Sequence, residues 1–189
     1  MKKMHPIEAL IEQGEHQQLD FKFEVSDSKK IARTLSAFAN TDGGRLLIGV
    51  KDNGNISGVR SEEEYYMIEA ASKMYTRPEV PFEATRWEVN GKTVLEVYIA
   101  PSPDKPHTAP DKDDKFKAYI RVADENILAN EVLVFAYLDD HPHINISQFC
   151  RIGRINYYTA KNILSDLLAM NTLQYLVIDK HILYQRVPA

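Results

Sequence analysis

The chain has 189 residues, 44% of them hydrophobic and 26% charged, with a formal net charge of −4 and a single cysteine. This is an ordinary globular composition, long enough for one medium domain and a small one. No stretch approaches the ~20 apolar residues of a membrane span, no apolar segment follows the Met1-Lys2-Lys3-Met4 start to suggest a signal peptide, and Cys150 alone excludes an internal disulfide, so a cytoplasmic protein is expected.

Charge is unevenly distributed. From His141 onward there are five Lys or Arg against two acids, whereas the residues before it carry 18 against 25. A basic tail on an acidic body is the asymmetry of a nucleic-acid-reading appendage.

In chain order, residues 6–13 read as a short helix with Pro6 in its first turn, and Gly14 stops it and delivers Glu15. The alternation in residues 18–25 reads as a strand. It sets Asp20, Lys22 and Glu24 on one face and Leu19, Phe21, Phe23 and Val25 on the other. Ser26 or Asp27 caps a helix running to about Asn40, with Ile31, Leu35 and Phe38 at helical spacing. Gly43-Gly44 ends that helix ahead of an apolar strand, Leu46 to Val50. The Walker spacing of a phosphate loop is missing, so the glycines read as a helix stop. Asp52-Asn53-Gly54 is a turn and places Asp52 at a strand end. Folded together, Glu15, Asp20 and Asp52 are expected to converge beside Lys22.

Ser61 caps the next helix, and Glu62, Glu63 and Glu64 suit its positive N-terminal end. Residues 82–89 and 93–99 form a hairpin about Asn90-Gly91, with Trp87 packing on the sheet. Residues 100–115 read as loop, and His107 there as a solvated side chain. Residues 116–122 form a strand carrying Arg121, and Asp124-Glu125-Asn126 turns the chain into the tail. The tail reads as helix (131–139), helix (146–152), a turn at Gly153, helix (156–170) and a hairpin turning at Asp179-Lys180-His181. That is the order of a small winged helix-turn-helix. Cys150 falls in its apolar helical pattern, as a buried structural thiol. Ala160, Ile163, Leu164, Leu167 and Leu168 face inward. Tyr157, Tyr158, Thr159, Lys161, Asn162 and Ser165 form an outward hydrogen-bonding face suited to base edges and phosphates. A packing or dimerisation module of the same shape is the alternative.

The run Gly14-Glu15, Leu19-Asp20-Phe21-Lys22, the block Phe38-Ala39-Asn40-Thr41 to Gly43-Gly44 with Ile48-Gly49-Val50 and Asp52, and Ala118-Tyr119-Ile120-Arg121-Val122 together resemble the Schlafen-type AlbA-like domain, which is often described as DNA-binding. The resemblance spans roughly residues 7–130. It implies an α/β (α+β) fold, a mixed sheet with flanking helices, here followed by a small C-terminal winged-helix domain. The expected domains are 1–129 and 130–189. In nuclease members of the family an acidic triad and a Lys cleave RNA, and that pattern falls on Glu15, Asp20, Asp52 and Lys22. The second acid is usually Glu, and Asp20 is shorter by one methylene. The resemblance also makes Arg121 a candidate phosphate contact, with a salt bridge to one of the many acids as the equal alternative.

Two functions follow from this sequence. The first is a non-catalytic DNA-binding protein, a transcriptional regulator needing no cofactor, with contacts at Arg121, Arg151, Arg154, Tyr158, Lys161, Asn162 and Lys180. The alternative is an endoribonuclease acting on structured RNA, with Mg or Mn held by Glu15, Asp20 and Asp52 and with Lys22 neutralising phosphate oxygens. DNA is the expected partner, RNA the alternative, with no membrane partner; self-association as a homodimer is compatible with either.

Overall fold

The computed structural model describes residues 4–59, 62–153 and 155–187. Two compact units divide it, Met1–Ile127 and Leu128–Ala189. The architecture is mixed α and β: helices flank a mixed four-stranded sheet in the first unit, and the second unit pairs helices with a hairpin.

In the first unit, helix α1 (Pro6–Ile11) opens with a capping box between His5 and Glu8. Strand β1 (Leu19–Lys22) pairs in parallel with β2 (Gly44–Ile48), the connection between them being helix α2 (Ser28–Asn40), capped by Asp27. Strand β2 then pairs antiparallel with β4 (Lys92–Ile99), and β4 with β3 (Glu83–Val89), giving the order β1-β2-β4-β3. The two-residue loop between β3 and β4 has both Asn90 and Gly91 at positive φ, the turn that matches strand twist. Strand β1 is shorter than the alternation predicts, because Lys22 O already accepts from Gly49 and Val50 N–H as β2 turns away at Gly49 (φ 90°). With no partner strand beyond that point among the described residues, residues 23–25 leave the sheet.

Register assigns the faces. Leu19, Phe21 and Leu47 join Ile7 of α1, with Val50, Val89 and Val94, in one apolar cluster. Asp20, Leu46, Ile48 and Val97 lie on the opposite face of the sheet. Helix α3 (Glu63–Tyr75) packs beside α2; its expected cap, Ser61, lies outside the described residues. The stretch predicted as loop before residue 116 contains a short strand, β5 (Thr108–Pro110). The turn at Asp124 leads into another that periodicity missed, β7 (Glu125–Leu128). With β6 (Phe116–Val122) these form a second sheet, ordered β5-β6-β7, packed on α2. Helix α2 therefore lies between two sheets, which is why nearly every residue from Ile31 to Ala39 is buried. Gly43, at φ 73°, ends it where a Cβ would meet Ile99 O at 2.6 Å, so the glycine pair serves the backbone turn.

The second unit holds α4 (Ala129–Asp140), α5 (Ile146–Gly153), α6 (Tyr157–Ala169) and the hairpin β8 (Leu173–Ile178) with β9 (His181–Arg186). Asn145 and Gln148 cap α5 reciprocally at 2.8 Å, and the Asn156 side chain accepts from Thr159 N–H at the start of α6. Val134, Leu138, Ile144, Phe149, Ile163, Leu164, Leu167 and Leu173 form its core. Cys150 packs half-buried against that core.

Candidate functional site

In the first unit the structure brings Glu15, Asp20 and Lys22 together, and adds Arg121. Strand alternation turns Asp20 toward the side of the sheet that α2 covers, so its carboxylate is buried (5% exposed). Two cations meet it there: Lys22 Nζ lies 2.7 Å from Oδ2, and Arg121 Nη2 lies 2.9 Å from Oδ1. Arg121 arrives from β6, with its side chain 1% exposed and its guanidinium 5.1 Å from the Phe38 ring. Its Nη1 donates to Asn126 Oδ1 at 3.1 Å, and Asn126 in turn donates to Thr34 Oγ1. Glu15 lies beside Asp20 and accepts from Phe21 N–H at 2.8 Å. Burial raises the Glu15 carboxyl above its ordinary pKa and Asp20 pushes it the same way, against the lowering pull of the Phe21 N–H and Lys22.

These positions decide what the acids can hold. Asp52 lies exposed in the turn after β2, and no hydrogen bond or ion pair joins it to Glu15 or Asp20 among the described residues. No group of three His, Cys, Asp or Glu among those residues is placed to hold a metal. The one carboxylate at the centre, Asp20, is already matched by two cations, and a divalent ion would have to displace both. The residues present do not fit a metal, and the expected three-acid convergence is here a pair, Glu15 and Asp20.

Arg121 also differs from the expectation of a phosphate contact: a guanidinium buried against Phe38 and bonded to Asp20 presents nothing to a backbone. Of its two readings, the geometry is that of the salt bridge. His107 is likewise buried, not solvated. Its Nδ1 lies 2.9 Å from Pro78 O, which can only accept, so Nδ1 carries a proton, and Nε2 lies 2.7 Å from Ser102 Oγ. Sequence reasoning missed the residue that organises this region, Asn40. Its Nδ2 donates to His107 O (2.8 Å) and Tyr119 O (2.7 Å), while its Oδ1 accepts from His107 N–H (2.7 Å). Thr41 Oγ1 accepts from Arg121 N–H. The available signal was the small-residue run Ala32, Ser36, Ala37 and Ala39, which marks a helix buried on more than one side.

A cleft of about 640 Å³ opens past the C-terminal end of β1. Lys22, Lys30 and Arg33 line it with Glu24, Asp27 and Glu125, a balanced set. Asp27 is committed to capping α2, and Arg33 Nε donates to Pro110 O, so the wall is held mainly by its own chain.

In the second unit α6 is two-sided. Ala160, Ile163, Leu164 and Leu167 are buried, while Tyr157, Tyr158, Lys161, Asn162 and Ser165 are exposed, Tyr158 at 77%. Arg151 is exposed in the last turn of α5 and Lys180 at the hairpin turn. Arg154 lies outside the described residues. The Tyr184 hydroxyl is raised above its ordinary pKa, by burial first and by Tyr157 second.

Among solved structures, the chain is similar to the DIP2311 protein from Corynebacterium diphtheriae, at 23% identity over 64% of this chain and 26% of that one, with a TM-score of 0.49. It is also similar to the N-terminal domain of an ATP-dependent DNA helicase RecG-related protein from Nitrosomonas europaea. That match has 24% identity over 61% of this chain and 82% of that one, with a TM-score of 0.41. The chain thus spans about a quarter of the Corynebacterium protein's length. No curated protein matches it. The model of the Schlafen, AlbA_2 family matches residues 15–130, the stretch that holds both sheets, α2 and the Glu15–Asp20–Arg121 network, and the chain belongs to that family.

Proposed function

We propose that the protein binds duplex DNA and acts as a transcriptional regulator, with residues 128–187 serving as a winged helix-turn-helix whose α6 enters the major groove. One observation carries this reading: a capped thirteen-residue helix buries one face in its own core and leaves Lys161, Asn162, Tyr158 and Ser165 open on the other. Groups of that kind near a helix N-terminus hydrogen-bond base edges and phosphates. The positive balance from His141 onward supports it, and the resemblance to AlbA-like domains implies a nucleic-acid-related role. The ribonuclease alternative draws no comparable support, because its central carboxylate is held by Lys22 and Arg121.

Lys161→Glu and Lys180→Glu test the interface separately. Each reverses an exposed charge, and each is expected to weaken duplex binding by roughly ten-fold or more while leaving the unfolding midpoint unchanged. Unaltered affinity in both variants, measured by fluorescence anisotropy, would remove α6 and the hairpin from the interface.

A further inference from the structure

The hairpin of the second unit has one edge occupied and one open. Ile144 pairs with Tyr184 of β9: Ile144 N–H donates to Tyr184 O at 2.9 Å, and Tyr184 N–H to Ile144 O at 2.8 Å. Both backbone groups of Tyr184 therefore point away from β8, although Tyr175 is its partner across the ladder. An antiparallel ladder alternates bonded and non-bonded pairs, so Tyr175, and with it Leu173 and Val177, directs its own N–H and C=O away from β9. No other strand pairs with that edge of β8 among the described residues.

Protein edges of this kind are ordinarily blunted by Lys, Pro or a bulge. Strand β8 reads Leu-Gln-Tyr-Leu-Val-Ile, with no charge and no proline, and it pairs with β9 without a break in register. Toward the turn, beyond the buried Leu173, the side chains on the Tyr175 face are open as well: Tyr175 is 63% exposed, Val177 62% and Ile182, opposite Val177, 54%. A sequence that is uncharged along its length is a poor surface for phosphate and a good one for itself.

We infer that β8 is the contact between two copies of this chain, pairing antiparallel to give a continuous four-stranded sheet β9-β8-β8-β9 about a two-fold axis at Leu176. Centred there, Tyr175 of each copy stands opposite Val177 of the other. Both residues have their N–H and C=O turned outward, so four backbone hydrogen bonds form across the axis. Leu176 meets Leu176, Gln174 meets Ile178, and the turn charges Asp179 and Lys180 fall beside Leu173 and Thr172, so no like charges meet. The exposed Tyr175, Val177 and Ile182 of both copies close into one apolar band.

Sedimentation velocity of the full chain over a concentration series, with amide hydrogen exchange, tests this. The wild type is expected at twice the monomer mass at high concentration, with the Tyr175 and Val177 amides protected. Val177→Pro removes only an outward N–H and leaves the β8–β9 ladder whole. It is expected to halve the mass with an unchanged circular dichroism spectrum. Val177→Lys, which sets a charge in the apolar band, gives the same halving and frees the Tyr175 amide. A wild type that stays monomeric at every concentration overturns the inference, including where another protein proves to occupy the edge. So does a dimer that survives both variants.

Discussion

Arg121 and Asp20 stand 101 residues apart in the chain and 2.9 Å apart in the fold. Taking two charges out of water is costly, and the geometry repays it only while each keeps its partner. Arg121→Met leaves Asp20 buried with Lys22 alone, so a loss of about 3 kcal/mol is expected in urea unfolding. Duplex DNA affinity should be unchanged, since the guanidinium faces no solvent. Glu15 gives a prediction of opposite character. Its folded pKa is raised, so its contribution is most favourable when protonated: it is fully present below the unfolded value and lost as pH rises through the folded one. Glu15→Gln keeps an acceptor for Phe21 N–H and removes that loss. The variant is expected to match or exceed wild-type stability near neutral pH, with the gap closing as pH falls toward the ordinary Glu range. A gap that widened on acidification would contradict the sign. The alternation of residues 19–22 was enough to place Asp20 and Lys22 on one face. It could not say which distant cation would arrive, because no local period encodes a contact between β1 and β6.

At the scale of elements, α2 is the centre of the first unit. Its apolar residues Ile31, Leu35 and Phe38 are buried, and its polar side laces the smaller sheet and the chain leading into it through Arg33, Thr34, Ser36 and Asn40. Asn40→Ala would orphan Tyr119 O and His107 N–H at a buried junction and leave His107 O with Ser36 Oγ alone. At 1–3 kcal/mol for each unsatisfied group, a loss of about 2 kcal/mol or more is expected. Hydrogen exchange should show it first in β5 and β6; exchange unchanged there would sink the role given to Asn40. The helix, its cap and its sheet-facing side were legible from 3.6-residue spacing. The second sheet was not, because β5 and β7 are three and four residues long, too short for a period-two signal. The same shortness made His107 look like loop, when two side-chain contacts and a backbone bond fix it in the interior.

At the scale of the molecule, an acidic α/β unit of the Schlafen, AlbA_2 family is joined to a small helical unit with a hairpin, each with its own core. The order of tail elements was readable, since α5 and α6 each start at a capping Asn and the hairpin turns in two residues. The acidic site was readable only in part: residue types and sequence spacing put three carboxylates in reach, and the fold leaves Asp52 in an exposed turn. The central proposal is that this chain holds nucleic acid through charge and α6 and does not cut it. The most direct test is a salt titration of labelled duplex DNA and of a structured RNA, with and without Mn²⁺, scored for retention and fragment length. We predict duplex binding whose logarithm falls linearly with the logarithm of salt concentration, and RNA of full length throughout. Duplex that is never retained, or Mn²⁺-dependent RNA fragments that vanish in Asp52→Asn, would contradict the account.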